Sequence, residues 1–341
     1  MEAKKHTRKF IVLSLVLVAL LLINISLGQV TIPLQAIYKT LIGTTTDVKE
    51  TWEFIILNFR LPKAITALLV GAGLSISGLM MQTLFRNPLA GPYVLGLSSG
   101  SSLGVALVIL GAGLLPPLFS EALVSSGSLV VASCLGSLLV LFLIFIAAKK
   151  LKDTMSVLII GLMFSSFTGA LVSVLTYFST AEQLQRYTFW SLGSIGNLSW
   201  NQIMFLSISV GLGLLLSIRA LKTLDALLLG ENYAQSLGVN IKRERTIIFL
   251  ATGILAGSIT AFVGPIAFVG LAIPHLAKLY FQTSNHKVLY LATILIGGSI
   301  MLFCDVVSQM PGQNFTLPIN AITSIIGAPM VIWLLIRKKG F

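Results

Sequence analysis

Apolar runs of about 18 residues or more recur from one end of the sequence to the other, and the charged residues fall almost entirely between them. A run of that length can satisfy its own backbone hydrogen bonds in a hydrocarbon layer only as a helix, so the chain is predicted to be all-α and polytopic. The predicted spans are residues 10–28, 61–83, 93–111, 122–148, 154–178, 200–219, 246–263, 266–282, 288–306 and 317–336, about ten in all. The apolar stretch from Ile247 to Tyr280 is too long for one crossing, so Gly264 and Pro265 are read as a tight turn between two. Charged residues make up 10% of the chain, where soluble domains carry about 25%, and no long polar stretch is left for a soluble domain.

A net charge of +12 could point to nucleic acid, but the basic residues come in short bursts between apolar runs rather than on one amphipathic face. With the N-terminus inside, 18 of the 23 basic residues lie on the cytoplasmic side and 5 outside (Lys39, Lys49, Arg60, Lys63 and Arg186), and both termini are cytoplasmic. The start, with Lys4, Lys5, Arg8 and Lys9 ahead of an apolar run to Leu27, also has the form of a signal peptide with a passable cleavage site at Ser26 and Gly28. It is read as the first span, because the run exceeds the usual signal core and everything downstream is membrane-embedded. Cys134 and Cys304 sit inside apolar runs and are read as packing residues.

Ion-coupled transporters place ionisable residues or broken backbone near the bilayer midplane. The spans here hold almost no charge, and Asp305 falls at the outer end of the ninth. No G-x-x-x-x-G-K-[ST] occurs to cradle nucleotide phosphates, and His6, His275 and His286 are far apart with no H-E-x-x-H. The chain is therefore not read as an enzyme, and uphill transport would need work from another subunit. An ion-coupled secondary transporter, using backbone carbonyls of a broken helix, is the competing class.

The longest cytoplasmic connection, residues 220–245, is polar and holds G-E-N-Y-A-Q-S-L-G from Gly230 to Gly238. About two turns of helix fit between its glycines, with Tyr233, Ala234 and Leu237 as a small apolar face. Such a helix can seat in a partner's groove or lie on the bilayer surface, and composition does not choose between them. Small residues at helical spacing, as in G-A-G-L-S-I-S-G from Gly71 to Gly78, let helices approach closely.

R-L-P-K at Arg60–Lys63, G-A-G-L-S-I-S-G, Q-T-L-F-R-N-P-L-A-G-P from Gln82, L-G-L-S-S-G from Leu95, the Gly230–Gly238 motif, F-V-G-L-A-I-P-H to His275, and the closing L-P-I-N with G-A-P-M-V-I-W-L-L resemble, in order, the FecCD-type permeases. These are the membrane subunits of ABC importers for iron-siderophores, haem and cobalamin. The resemblance implies one transmembrane permease domain over 1–341, with 220–245 as a cytoplasmic coupling segment inside it. It further implies a homodimer in the cytoplasmic (inner) membrane, with two cytoplasmic ATPase subunits and an extracytoplasmic substrate-binding protein as partners. No cofactor or metal is then bound by this chain, ATP and Mg belong to the partner ATPase, and an inverted repeat relates spans two to five to spans seven to ten. An iron-siderophore or haem-type chelate is the cargo expected first, and cobalamin the alternative.

By the same resemblance Gly230, Glu231, Tyr233, Ala234, Leu237 and Gly238 contact the ATPase. Arg60 and Lys63 dock the binding protein, against the plainer reading that they snorkel to headgroups. Lys63 departs from the family's usual arginine and loses bidentate carboxylate geometry. A third family basic position falls near Gln309, so docking uses fewer charges or recruits Arg186. Gly161, Ser165, Gly169, Ser173 and Thr176 on the fifth span and Asn320, Thr323 and Ser324 on the tenth share helix faces, and the family places these helices along the pathway. Taken without the resemblance, both stripes read as ordinary small-residue packing.

Overall fold

The computed structural model describes residues 2–28, 30–44, 48–111, 125–151, 154–309 and 315–337. Residues 122–124 of the expected fourth span, Lys152, Lys338 and Lys339 lie outside these. Among the described residues fourteen α-helices follow one another: α1 Glu2–Ser26, α2 Leu34–Ile42, α3 Glu50–Ile55, α4 Leu61–Leu84, α5 Leu97–Ile109, α6 Ser126–Lys150, α7 Thr154–Tyr177, α8 Ala181–Ser191, α9 Trp200–Leu227, α10 Glu231–Ser236, α11 Ile241–Val263, α12 Val269–Phe281, α13 His286–Ser308 and α14 Ile319–Arg337. Among the described residues, seven helical stretches are long and apolar enough to cross a membrane, and α5, α12 and most of α14 are shorter apolar helices. Each of the ten expected spans overlaps one of these helices.

Several helices outrun the apolar stretch that announced them. A π-turn at Ile56–Arg60 joins α3 to α4 in one continuous helical stretch, Glu50–Leu84. Residues 220–245, expected as a polar connection, are largely helical, because α9 continues to Leu227 and α11 begins at Ile241. Apolarity stops at the edge of the hydrocarbon, whereas backbone hydrogen bonding continues into water. The short helices α2, α3 and α8 lie outside the predicted spans, and α8 starts at a capping box between Thr180 and Gln183.

Helix α4 is the centre of the bundle, buried on nearly every side by α9, α11, α12 and α13. Its small residues permit this. A Cβ on Gly71 would overlap the Gly297 carbonyl of α13, and one on Gly78 the Gly270 carbonyl of α12. Three of its four hydroxyls are satisfied within the helix, Thr66 donating to the Pro62 carbonyl, Ser77 to Gly73 and Thr83 to Leu79, at 2.8–2.9 Å, while Ser75 Oγ is buried against α13 without a hydrogen bond. The outer helices α6, α7 and α9 present exposed apolar side chains such as Leu135, Phe142, Phe167, Leu212 and Leu215, an apolar outer band suited to lipid.

The chain repeats itself. Helices α4, α5, α6 and α7 have 24, 13, 25 and 24 residues, and α11, α12, α13 and α14 have 23, 13, 23 and 19. In each set the first helix is followed by a non-helical break and a 13-residue helix. The leading helices run antiparallel, since Gly73 of α4 meets Ile259 of α11 while Phe85, just past α4, stacks near Phe249. Opposed direction with matching order supports the inverted repeat.

Candidate functional site

Three places in this bundle gather the residues that the sequence singled out: the turn that carries α10, the junction of the two breaks, and a polar cluster at the opposite end from α10.

At the first, Gly230 takes φ 110°, a conformation L side chains rarely adopt, and lets the chain leave α9 and re-enter helix at once. Gly238, at φ 83°, closes α10, and Asn240 caps α11 by accepting from the Arg243 amide at 3.2 Å. Glu231 Oε1 lies 3.0 Å from Arg245 Nη2, with the arginine side chain only 7% exposed. Thr223 of α9 donates to Glu244 of α11 at 3.0 Å, so the helices on either side of α10 are also tied together. The expected apolar face of Tyr233, Ala234 and Leu237 divides. Neighbouring helical residues lie about 100° apart, so Ala234 turns under and is fully buried, while Tyr233 and Leu237 stand exposed. The outward face is therefore Tyr233 and Leu237, with Ala234 as its foot.

At the second, the break after α4 contains a 3-10 turn, Pro92–Leu95, and the break after α11 spans 264–268. They meet where the Ile266 amide donates to the Tyr93 hydroxyl at 3.3 Å. The last helix of each repeat supports its own break. In α7, Gly161 packs against Val94 and Leu95, and Ser165 lies beside Gly96. In α14, Asn320 accepts from the Ala267 amide at 3.0 Å, Thr323 is buried, and Gly327 packs on Phe268. Gly161, Ser165 and Asn320, three of the eight residues expected along a pathway, thus contact breaks inside the subunit. Gly169 and Ser173 lie on an open face of α7, where a Cβ on Gly169 would meet no atom within 4 Å, and Thr176 and Ser324 are half-buried. Near the α10 end, His275 Nε2 bonds the Pro88 carbonyl at 2.8 Å and so ties α12 to the turn after α4.

At the third, Arg60 and Lys63 are engaged within the chain. The π-turn directs Arg60 under the end of α1, where it is 8% exposed and donates to the carbonyls of Ile25, Ser26 and Val30. Those carbonyls belong to a helix end and the loop beyond it, where acceptors lack helical partners. Lys63 Nζ lies 2.8 Å from Asp305 Oδ1, and Asn24 and Gln309 donate to Asp305 Oδ2 at 2.8 and 2.9 Å. Arg60, Lys63, Asp305 and Gln309 line an open cavity of about 700 Å³ together with Phe59, Phe189 and the 192–197 loop. Arg186 is apart from it, paired with Glu182 of its own helix at 2.7 Å.

Sequence reasoning missed a buried junction between the α10 end of α9 and α13. His286 is fully buried, with Nδ1 2.6 Å from Asp225 Oδ1 and Nε2 2.9 Å from Thr83 Oγ1, while Asp225 also accepts from the His286 amide. It missed Asn24 and Tyr93 in the same way. Each is a lone polar residue in or beside an apolar run, and that isolation was the available signal.

The model of the FecCD transport family matches residues 16–337. The chain is 34% identical to the hemin transport system permease protein HmuU of Yersinia pestis, over 94% of each chain. It is 33% identical to the vitamin B12 import system permease protein BtuC of Klebsiella pneumoniae, over 100% of this chain and 97% of the other. Among solved structures it is similar to an inward-facing metal-chelate type ABC transporter, with a TM-score of 0.84, 30% identity, and coverage of 97% of this chain and 99% of that one.

Proposed function

This chain belongs to the FecCD transport family and is a multi-pass membrane permease, and from that premise we propose that it is the membrane subunit of an ATP-driven importer that carries a metal chelate inward by alternating access. The chelate is an iron-siderophore or haem; the hemin permease among its relatives supports haem. Cobalamin is the second reading, supported by the vitamin B12 permeases.

One observation carries the mechanism. Helix α10 presents Tyr233 and Leu237 outward from the bundle, while its first turn is ion-paired to α11, the leading helix of the second repeat. A partner that grips the outward face and moves it therefore pulls on a helix reaching the break at 264–268. The break in turn contacts Tyr93 of the first repeat and Asn320 of α14. Displacement at one end of the bundle thus has a continuous path to the half-open faces of α7 and α14.

On this reading the α10 end and both termini are cytoplasmic, two ATPase subunits hold ATP and Mg there, and two copies of the chain form the pathway between them. Lining is supplied by Gly169, Ser173, Thr176 and Ser324, weakly polar groups that give a bulky chelate little to adhere to. The binding protein docks at the other end. Arg60 is committed to α1, so Lys63, 18% exposed, is the cation within reach of an acidic partner.

Uptake into sealed vesicles tests the proposal. Chelate accumulation should require the ATPase partner, ATP and the binding protein together, and should persist when ion gradients are collapsed. Accumulation by the purified chain alone, driven by a gradient, would end it. Lys63→Glu should weaken binding-protein association in a salt-dependent manner.

A further inference from the structure

We propose that Asp305 is a built-in competitor for the docking cation, holding Lys63 until a carboxylate of the binding protein takes its place; this rests on the reading of Lys63 as a docking residue.

The two sides of the Lys63–Asp305 pair are unequal. Asp305 is 1% exposed and is fixed by amide donors from two helices, Asn24 of α1 and Gln309 just beyond α13. Lys63 is 18% exposed, sits at the wall of the 700 Å³ cavity, and its stem passes beside Gly196, where a Cβ would lie 3.6 Å from its Cδ and Cε. A lysine has a flexible four-carbon stem and three donors. The pair therefore opens by movement of the lysine into the cavity, and the aspartate stays.

Once Lys63 leaves, Asp305 Oδ2 keeps the Asn24 and Gln309 amides, while Oδ1 gives up its cation, a cost that draws the lysine back when the outside carboxylate departs. Lys63 has two stations, one on the internal carboxylate and one on a carboxylate brought into the cavity from outside. Arg60 has no comparable freedom, because its three acceptors are main-chain carbonyls. Exchange of one carboxylate for another gains little free energy, so docking through Lys63 is specific for an acidic side chain and readily reversed. A binding protein that must dock, deliver and depart in every cycle needs that reversibility.

The test uses the full chain with its ATPase partner in lipid nanodiscs, and the purified binding protein as probe. Asp305→Asn keeps the shape of the site but removes the competing charge, and should tighten association about fivefold, mainly by slower release. Gln309→Met removes a donor from Asp305, makes the carboxylate depend more on Lys63, and should weaken association by a few-fold. In a Lys63→Met background neither change should have any effect. Asp305→Asn or Gln309→Met acting equally well without Lys63, or Asp305→Asn leaving association unchanged while Lys63→Glu weakens it, would overturn the competition and spare the docking reading. No effect of Lys63→Glu would overturn the docking reading itself. Should Asp305→Asn fail to fold, Gln309→Met, with its opposite sign, decides.

Discussion

Replacing Glu231 by Gln isolates the ion pair that roots α10 in the bundle. The two groups are 3.0 Å apart, with the glutamate side chain 30% exposed and the arginine 7%. Unit charges about 4 Å apart attract by about 4 kcal/mol at an effective dielectric constant of about 20. Partial exposure of the glutamate and desolvation of the arginine reduce the net value to about 1–2 kcal/mol. Gln preserves the length and one acceptor oxygen, so about 0.5–1 kcal/mol survives as a neutral hydrogen bond. The expected loss is about 1 kcal/mol, or about fivefold in the equilibrium between seated and released α10. Amide hydrogen exchange over residues 231–238 should quicken by that factor, while α4 is unaffected. Glu231→Arg opposes two cations, should release α10 further, and should lower recovery of the ATPase partner although Tyr233 and Leu237 are untouched. Exchanging the pair, Glu231→Arg with Arg245→Glu, should restore part of the protection. Unchanged exchange in Glu231→Gln, with unchanged ATPase recovery in Glu231→Arg, would refute the pair as the anchor.

Gly78→Ala should lower the melting temperature in detergent, because its Cβ would overlap the Gly270 carbonyl, an overpacking worth about 1–3 kcal/mol. Gly169→Ala should leave the melting temperature unchanged, and Gly169→Leu should slow uptake without unfolding the subunit if α7 lines the pathway. His286→Ala should cost about 2–3 kcal/mol by thermal melting, since it opens a cavity and removes the partner of Thr83 and Asp225. Asn320→Ala should speed hydrogen exchange at the Ala267 amide, which loses its acceptor, with a stability cost of about 1 kcal/mol.

The placement of α1, α6, α7, α9, α11 and α13 was legible because each carries an apolar run that only a helix can bury in lipid. The interruption at Gly264 and Pro265 was legible for a related reason, since an apolar stretch longer than the bilayer has to turn. The surface helices α2, α3 and α8 were not, because they are short and mixed in polarity. Site residues divided along the same line. Glu231 was visible through its motif, but its partner Arg245, fourteen positions away, is unremarkable in sequence. Lys63 was read as a docking or snorkelling cation, and its ion partner Asp305 lies 242 positions further along. Gly161, Ser165, Asn320 and Thr323 matched a lining pattern and a packing pattern equally, and the contacts of Gly161, Ser165 and Asn320 with the breaks join residues far apart in sequence.

Taken alone, the sequence determined that this chain lives in a membrane, where its helices fall, and to which family it is similar, because solvent polarity acts on each segment separately and motifs are local in the chain. Only the tertiary structure decided which polar groups meet: Lys63 with Asp305, His286 with Asp225, Tyr93 with the Ile266 amide. A buried polar atom in an apolar bundle must find a partner wherever packing brings one near, and that choice is made by the geometry of helices far apart in sequence.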